Sequence, residues 1–443
     1  MLLRARLVLP VSSPPIADGA VLVSGGRIAA VGRHRDLASR AGRKTTDLGE
    51  VVLMPGLVNA HCHLDYTDLA GQFSPPKVFT DWLKLITTAK SQWSYSDYAQ
   101  SWLHGARMLV KTGTTTVGDI EAVPELLPEA WNSTPLRVIS MLELIGITAR
   151  RKPADIVQEA LGRIKSLAHP RCRVGLSPHA PYSTLPELLR LSAKAARHKR
   201  LPLSMHIAES ALEFEMFARA SGAMFDWLKP TRLDMSDCGL GSPVQHARRC
   251  GLLGGNVLAV HVNYLGRDDA ELLRKSKASV VHCPRSHAYF QHGSFPLKRL
   301  LAAGVNVCLG SDSLASVVKA RRRSVELNMF EEMRALAKTS PTLSPRRIVQ
   351  MATTNSARAL GLCGKVGAVA PRTFADLIAL PMLGRCRDAY EMVLQHSGDV
   401  LASMIDGNWV HSSSDWSPSA SSSSSSSSSL AASKGRRKRP SRS

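Results

Sequence analysis

The 443-residue chain contains no run of about 18 apolar residues, so no membrane span is expected. It has no C-x-x-C pair. Its eight cysteines (Cys62, Cys172, Cys238, Cys250, Cys283, Cys308, Cys363 and Cys386) fall singly, several of them in apolar stretches that read as buried strands. That pattern speaks for reduced thiols in a cytoplasmic protein rather than a disulfide framework. Acidic residues are scarce, 35 against 57 Lys and Arg, which gives a net charge of +22. Six of the basic residues (Lys434, Arg436, Arg437, Lys438, Arg439, Arg442) sit at the end of the chain, leaving +16 on the residues before them. The basic end resembles a nuclear-import or nucleic-acid patch, with a solvated neutral extension as the alternative, and no nucleic-acid module is recognisable. Residues 412–433 are dominated by serine, unbroken from Ser421 to Ser429, and too poor in apolar groups to form a core, so 412–443 is expected to be a disordered tail. The remainder, in a chain 44% hydrophobic, is long enough to bury a large core. The start, Met1–Pro10, is faintly signal-like, but Arg4 and Arg6 interrupt it and its continuation reads as a strand.

What the chain does have is a set of apolar strands that stop on polar residues. Pro55-Gly56-Leu57-Val58-Asn59-Ala60-His61-Cys62-His63 ends in two histidines spaced i, i+2. Side chains alternate along a strand, so His61 and His63 project together while Cys62 points away. Leu203–Ile207 carries His206, with Glu209 just beyond; Val257–His261 ends in His261; Val305–Asp312 ends in Asp312. A lone strand-end histidine is more often a satisfied core residue. Four independent strand ends bearing His, His/Glu, His and Asp read as one constellation, placed where an α/β barrel carries its chemistry.

Eight strands are expected, at 51–61, 114–120, 137–145, 173–178, 202–206, 257–261, 279–283 and 305–310. Helical patterns at Ile156–Ala168, Pro186–Ala196, Asp269–Lys275, Pro296–Ala303 and Glu326–Ala337 separate most of them. Thr184-Leu185-Pro186-Glu187 reads as a capping box and Ser344-Pro345 as a cap followed by proline at the first helical position. This alternation indicates an α/β fold, a (β/α)8 TIM barrel. Residues 16–32 look like a hairpin with a glycine turn, and short strands recur at 375–380, 400–405 and 408–410. The two ends are expected to pair into a small discontinuous β-sandwich. The expected domains are therefore 1–52 with 365–411, the barrel at 53–364, and the tail.

In this order of motifs the chain resembles the amidohydrolase superfamily, and within it the metal-dependent aminohydrolases and chlorohydrolases. That group includes guanine deaminase, the S-adenosylhomocysteine and methylthioadenosine deaminases and triazine hydrolases. The resemblance covers roughly residues 1–411. It is carried also by Ser177-Pro178-His179-Ala180-Pro181-Tyr182, Val281-His282-Cys283-Pro284-Arg285-Ser286, Leu309-Gly310-Ser311-Asp312-Ser313, Phe330-Glu331-Glu332-Met333-Arg334 and Thr354-Asn355-Ser356-Ala357-Arg358-Ala359-Leu360. It implies that His61, His63, His206 and Asp312 bind one divalent metal. Two-metal members bridge their ions with a carboxylated lysine at the end of the fourth strand; Cys172–His179 contains none, which favours a mononuclear site. Three imidazoles and a carboxylate suit zinc best, with iron and manganese as the other candidates. The different zinc deaminase signature, His-x-Glu with Pro-Cys-x-x-Cys, is missing.

The resemblance implies a mechanism. The metal lowers the pKa of its bound water from ~16 toward ~7. Asp312 accepts the water proton as hydroxide attacks an sp² carbon, Glu209 protonates a ring nitrogen, and His261 stabilises the oxygen of the tetrahedral intermediate. The amine leaves as ammonia. Glu209 speaks against a simple cyclic-amide hydrolase, because an amidine-like ring needs a proton on nitrogen. The substrate is then a purine-like or related N-heterocycle.

The resemblance gives His179 a contact to the base, a capped strand-end histidine being the alternative. Many relatives carry His-x-Pro-x-Ser-Asn after strand seven; here the run is His282-Cys283-Pro284-Arg285-Ser286-His287. Together with the long excursion 210–255, expected to be a helical lid or pocket wall, it looks most like aminodeoxyfutalosine deaminase relatives. Arg285 and His287 are candidates for gripping a polar or anionic substituent, against a solvated loop rim. Trp82, on the helical Asp81–Ile86 segment, is a candidate for the cavity mouth or for plain packing. Other readings stay open: a hydrolase expelling chloride or an amide amine, and a non-catalytic binding or assembly relative. Relatives are often dimers, so a homo-oligomer is an expectation by analogy alone.

Overall fold

The computed structural model describes residues 1–41, 45–148, 150–319, 325–382, 388–414, 416 and 418–421. Cys386 and the basic run from Lys434 lie outside the described residues.

Eight parallel strands hydrogen-bond in chain order: β1 (Leu57–Cys62), β2 (Thr114–Glu121), β3 (Arg137–Leu144), β4 (Arg173–Pro178), β5 (Leu203–Ile207), β6 (Val257–His261), β7 (Ser279–His282) and β8 (Asn306–Leu309). The sheet closes where the loop after β8 meets β1. There the Ser311 and Asp312 N–H groups donate to the His61 carbonyl at 2.9 and 3.1 Å, and Cys62 bridges Asp312. Only glycine at position 310 permits this seam, since a Cβ there would lie 2.8 Å from the His61 carbonyl oxygen and 2.9 Å from His61 Cβ.

The strand expected over 51–61 is two strands. Val51–Pro55 pairs antiparallel with Leu377–Pro381 in a second sheet, and the chain switches sheets at Gly56, where a Cβ would lie 2.1 Å from the Thr115 hydroxyl oxygen. That second sheet gathers strands from both ends of the chain. Its order is Asn408–Ser412, Ala402–Ile405, Leu377–Pro381, Val51–Pro55, Leu2–Val8, Ile16–Ser24 and Arg27–Arg33, with Thr45–Asp47 also pairing Leu2–Val8. Leu3, Val8, Val21, Leu53, Leu377 and Met404 share its core. The hairpin at 16–33 turns on Gly25 and Gly26, both at positive φ (58° and 72°), as a two-residue turn matched to strand twist requires. Buried Arg137, at the start of β3, ties the barrel to this sheet through Asp376 (3.1 Å) and Asp406 (2.7 Å). Ser419–Ser421 forms a short strand against Thr45–Asp47, so the segment expected to be disordered from 412 is ordered there; 422–443 lies outside the described residues.

Helices alternate with the strands, with local corrections. Thr184 caps nothing: the helix Pro186–Lys199 has Leu185 at its N-cap, and the Thr184 hydroxyl is buried without a hydrogen-bond partner. After a 3-10 turn at Pro181–Ser183, Thr184 and Leu185 are extended and reach Gly146, whose carbonyl accepts from Leu185 N–H. Ser344 does hold the N-cap position before Pro345, without a side-chain cap bond. The helix expected from Glu326 begins at Met329, capped by the Asn328 side chain. The 210–255 excursion is helical, with Ala211–Arg219, Ala223–Leu228 and Pro243–Arg249.

Candidate active site

The strand ends converge. His61 lies near the end of β1 with His63 just past it, His206 is the next-to-last residue of β5 with Glu209 three residues on, His261 ends β6, and Asp312 follows β8; each is at most 7% exposed. Cys62 turns the other way, into the layer shared with Leu64 and Trp102. His61, His63 and His206 offer ligand atoms that all lie within 4.8 Å of one another, as do those of His61, His261 and Asp312. His261 and Asp312 hold left-handed φ values of 71° and 56°, a backbone strain typical of functional loops.

The polar atoms left over show what the cluster is built for. His206 Nδ1–H donates to the His179 carbonyl at 2.8 Å, which fixes the tautomer and turns a lone pair on Nε2 toward His63 Nε2, 3.4 Å away. No partner of His63 Nδ1 among the described residues fixes the tautomer of that ring, so its Nε2 can donate to His206 or turn a second lone pair toward it, and two facing lone pairs would need a cation between them. Ligands about 2.0–2.1 Å from a tetrahedral cation stand roughly 3.3 Å apart, so the spacing fits a divalent metal. His61 Nδ1 and Nε2, His63 Nδ1 and His261 Nε2 are buried without hydrogen-bond partners among the described residues. Asp312 Oδ2 accepts from the hydroxyls of Ser286 (2.6 Å) and Ser316 (3.3 Å), leaving Oδ1 3.6 Å from Nε2 of both His61 and His63.

The two carboxyls of the site are driven apart. Burial opposes the Asp312 charge, but contact with His61 and the surrounding imidazoles outweighs it and holds the carboxyl well below the usual range. Glu209 has no such support: burial, then the charges of Asp312 and Glu213, push it well above the usual range. Burial also lowers His63 and His206 well below the ordinary imidazole value and His261 to about 3, so these rings are neutral and fit to bind a metal. A carboxylate and a carboxylic acid side by side is the arrangement that separates base from acid.

A cavity of about 190 Å³ opens over this cluster. Glu143, His179 and Tyr182 line its wall, and Trp82, Ile145, Ile147, Trp227 and Leu228 its apolar outer part; Lys90 is its one lysine or arginine among the described residues. His179 Nδ1 meets the Ser183 hydroxyl at 2.6 Å, and Nε2 lies 4.0 Å from Glu143. Trp82 lines the cavity and also packs, with its ring 5.0 Å from Phe290 and 6.1 Å from Phe79. Arg285 and His287 do not line the cavity, so the expected grip on a substituent is corrected. Arg285 pairs with fully buried Glu332 and donates to the Glu326 carbonyl at 3.0 Å, because an unpaired carboxylate at that depth would be too costly. His287 is held by the Gly293 carbonyl (2.7 Å) and Asn263 (3.0 Å). Sequence reasoning missed Glu143, Lys90, Trp227 and Glu213. Glu143 alone carried a signal, as a polar residue at the end of an apolar strand.

An eight-stranded parallel barrel with a buried His and Asp cradle at the carboxyl ends of its strands defines a metal-dependent hydrolase. The chain belongs to the amidohydrolase family, whose model matches residues 52–410, and is a hydrolase acting on carbon–nitrogen bonds. It is 31% identical over 385 residues to the 5-methylthioadenosine/S-adenosylhomocysteine deaminase of Syntrophobacter fumaroxidans, covering 82% of this chain and 80% of that one. It is 30% identical over 357 residues to the aminodeoxyfutalosine deaminase of Deinococcus radiodurans, covering 78% and 82%. Among solved structures, Helicobacter pylori aminofutalosine deaminase in complex with methylthio-coformycin shares the fold, with a TM-score of 0.81 at 20% identity over 93% of this chain and 100% of that one. Atrazine chlorohydrolase from Arthrobacter aurescens, complexed with zinc, shares it at 0.79 and 20% over 93% and 95%. Among the described residues no helix is long and apolar enough to cross a membrane.

Proposed function

We propose that the chain is a zinc-dependent deaminase of an aminopurine nucleoside, of the kind named for its 5-methylthioadenosine and aminodeoxyfutalosine relatives. The observation that carries this reading is the meeting of Glu209, His261 and Asp312 with the His61, His63 and His206 imidazoles at one rim of the barrel, burial pushing the Glu209 carboxyl up while the imidazoles hold that of Asp312 down. His61, His63, His206 and Asp312 would hold a divalent metal, which when bound would supply an activated water at neutral pH. Asp312 Oδ1, ionised and free of the serine hydroxyls that occupy Oδ2, takes up a proton. Glu209, pushed well above the usual carboxylate range by burial, is the acid that delivers a proton to a ring nitrogen, so that the heterocycle does not accumulate negative charge as its carbon becomes tetrahedral. Neutral His261, with Nε2 unpartnered 3.6 Å from Glu209, faces the developing oxygen. A ring bearing an exocyclic amine uses both carboxyls: the amine departs as ammonia with the proton that Asp312 took from the water, and the hydroxyl proton released as the carbonyl forms returns to Glu209.

Farther out, His179 is placed for the base. Glu143, with its side chain 8% exposed, has the acceptor oxygens for sugar hydroxyls. Trp82, Ile145, Ile147 and Trp227 offer an apolar bed for a substituent beyond the sugar. Buried free thiols at Cys62, Cys172, Cys238, Cys250, Cys283 and Cys308 support a reducing, cytoplasmic setting. The test is ammonia release by zinc-loaded, metal-analysed protein from 5′-methylthioadenosine, S-adenosylhomocysteine, aminodeoxyfutalosine and adenosine, with atrazine as the chlorinated comparison. Ammonia from at least one nucleoside is expected. None from any of them overturns the reading, and chloride from atrazine in its place marks a chlorohydrolase.

A further inference from the structure

The Glu209 carboxyl has His261 Nε2 as a polar neighbour, at 3.6 Å and out of hydrogen-bond reach, so the backbone that carries it must fix its place. That backbone lies beyond the end of β5, and Ala208 is forced to a left-handed φ of 53°, a conformation that persists only where surrounding contacts impose it. The contacts come from two sides.

On one side stands Glu213, fully buried in the first turn of the helix Ala211–Arg219. Its carboxyl reaches back over the start of the helix, where Oε1 accepts from Ala208 N–H at 2.9 Å and Oε2 from Glu209 N–H at 2.8 Å. The Ser210 hydroxyl caps the same helix by accepting from Glu213 N–H at 3.1 Å. On the other side stands the segment after β6. Val262 N–H donates to the Ile207 carbonyl at 2.9 Å, Asn263 N–H to the Ala208 carbonyl at 3.0 Å, and the Asn263 side-chain amide to the Glu209 carbonyl at 2.9 Å. The remaining Asn263 oxygen lies 3.0 Å from His287 Nδ1, and His287 Nε2 lies 2.7 Å from the Gly293 carbonyl. Residues 208 and 209 thus have both their N–H groups and both their carbonyls engaged, and the side-chain bonds come from groups absent from the metal cradle.

We propose that Glu213 on one side and the Asn263–His287 pair on the other form a clamp that positions Glu209 for proton delivery. Glu213, Asn263 and His287 are positioning residues; none of them lines the cavity, and each acts through the Glu209 backbone. This deepens the deaminase reading and rests on it. It also gives His287, set among polar groups after β7, work other than substrate contact. A buried carboxyl that spends both oxygens on consecutive backbone N–H groups fixes the peptide planes on either side of Ala208.

The test compares Glu213→Gln, Asn263→Ala and His287→Leu with the parent chain, all zinc-loaded, using 5′-methylthioadenosine as the probe. Displacing a catalytic group by about 1 Å costs up to roughly 100-fold, so kcat is expected to fall about 10- to 100-fold in the first two variants. KM should stay within about threefold, because ground-state binding is untouched. Zinc stoichiometry is expected to remain that of the parent. Hydrogen exchange at the amides of residues 208 and 209 is expected to quicken about 10-fold or more, whether or not the probe turns over. His287→Leu, at the edge of the clamp, should show both effects in smaller degree and guards against a misfolded Glu213 or Asn263 variant. Unchanged exchange in folded variants overturns the clamp. Quickened exchange with kcat within about twofold of the parent overturns its positioning role. If the parent releases no ammonia from the probe or from the other nucleosides, the deaminase reading has failed, and the exchange result alone supports or overturns the clamp.

Discussion

At the scale of the residue, one cluster pulls two carboxyls in opposite directions. Asp312 is surrounded by imidazoles and Glu209 by burial and like charge. Replacing Glu209 with Gln keeps shape and removes the proton, so kcat is expected to drop roughly 10²- to 10⁴-fold, the range for losing a general acid, while zinc content stays unchanged. Ammonia release alongside metal analysis measures both. The pH dependence has a definite sign. An acid raised in the folded protein keeps its proton through neutral pH and loses it as pH climbs through the raised value, so kcat should fall on the alkaline side. Asp312, held low, loses its charge only well below the ordinary carboxylate range, so the acid limb should come late. A kcat profile already declining from pH 5 to 7 would contradict this assignment of roles. Glu143 belongs to recognition rather than proton transfer: Glu143→Gln should raise KM for a nucleoside about 10-fold, the worth of one charge-assisted hydrogen bond, with kcat little changed in steady-state kinetics.

At the scale of the element, each residue of the cluster was legible because a parallel barrel places polar residues where apolar strands stop. The pattern Val257-Leu258-Ala259-Val260-His261 carries that message without any partner in view. What stayed hidden depended on residues distant in sequence. Val51–Pro55 and Leu57–Cys62 are both apolar, and Gly56 alone marks the passage from one sheet to the other, its reason being the Thr115 side chain beneath it. Arg285 reads as a free cation near the site until Glu332 is seen buried against it. Glu143, set between two leucines, looks like an ordinary strand residue until β3 joins the cavity wall. The junction of the two sheets shows the same dependence in energetic form. Arg137 is 5% exposed and Asp376 1% in their side chains, and burial raises Asp376 against the pull of Arg137. Removing Asp376 leaves buried Arg137 with the more exposed Asp406 as its one carboxylate partner, so Asp376→Ala should destabilise by about 1–3 kcal/mol. A clear drop in thermal midpoint is the readout, and an unchanged midpoint would mean that water reaches the pair.

At the scale of the whole molecule, chemistry and charge sit in different places. The cavity is walled by strand ends and by the 210–255 helices, and its lining holds Lys90 as the single basic side chain among the described residues, although the chain carries 57. The strongly basic character is therefore a property of the surface and of the end of the chain, and turnover should not depend on that end. Ser419–Ser421 pairs with Thr45–Asp47, which itself pairs with Leu2–Val8, so a truncation must spare this strand to leave the second sheet intact. A chain ending after Ser421 is expected to keep the thermal midpoint, zinc content and kcat/KM of the full chain within about twofold, since the cavity lining among the described residues lies before it. Ending it before Ser419 should lower the midpoint without touching kcat, because the strand supports the end sheet and not the cluster. Loss of deamination on removing 422–443 alone would show that the tail takes part in the reaction or in assembly, and would return the non-catalytic or assembly reading to contention.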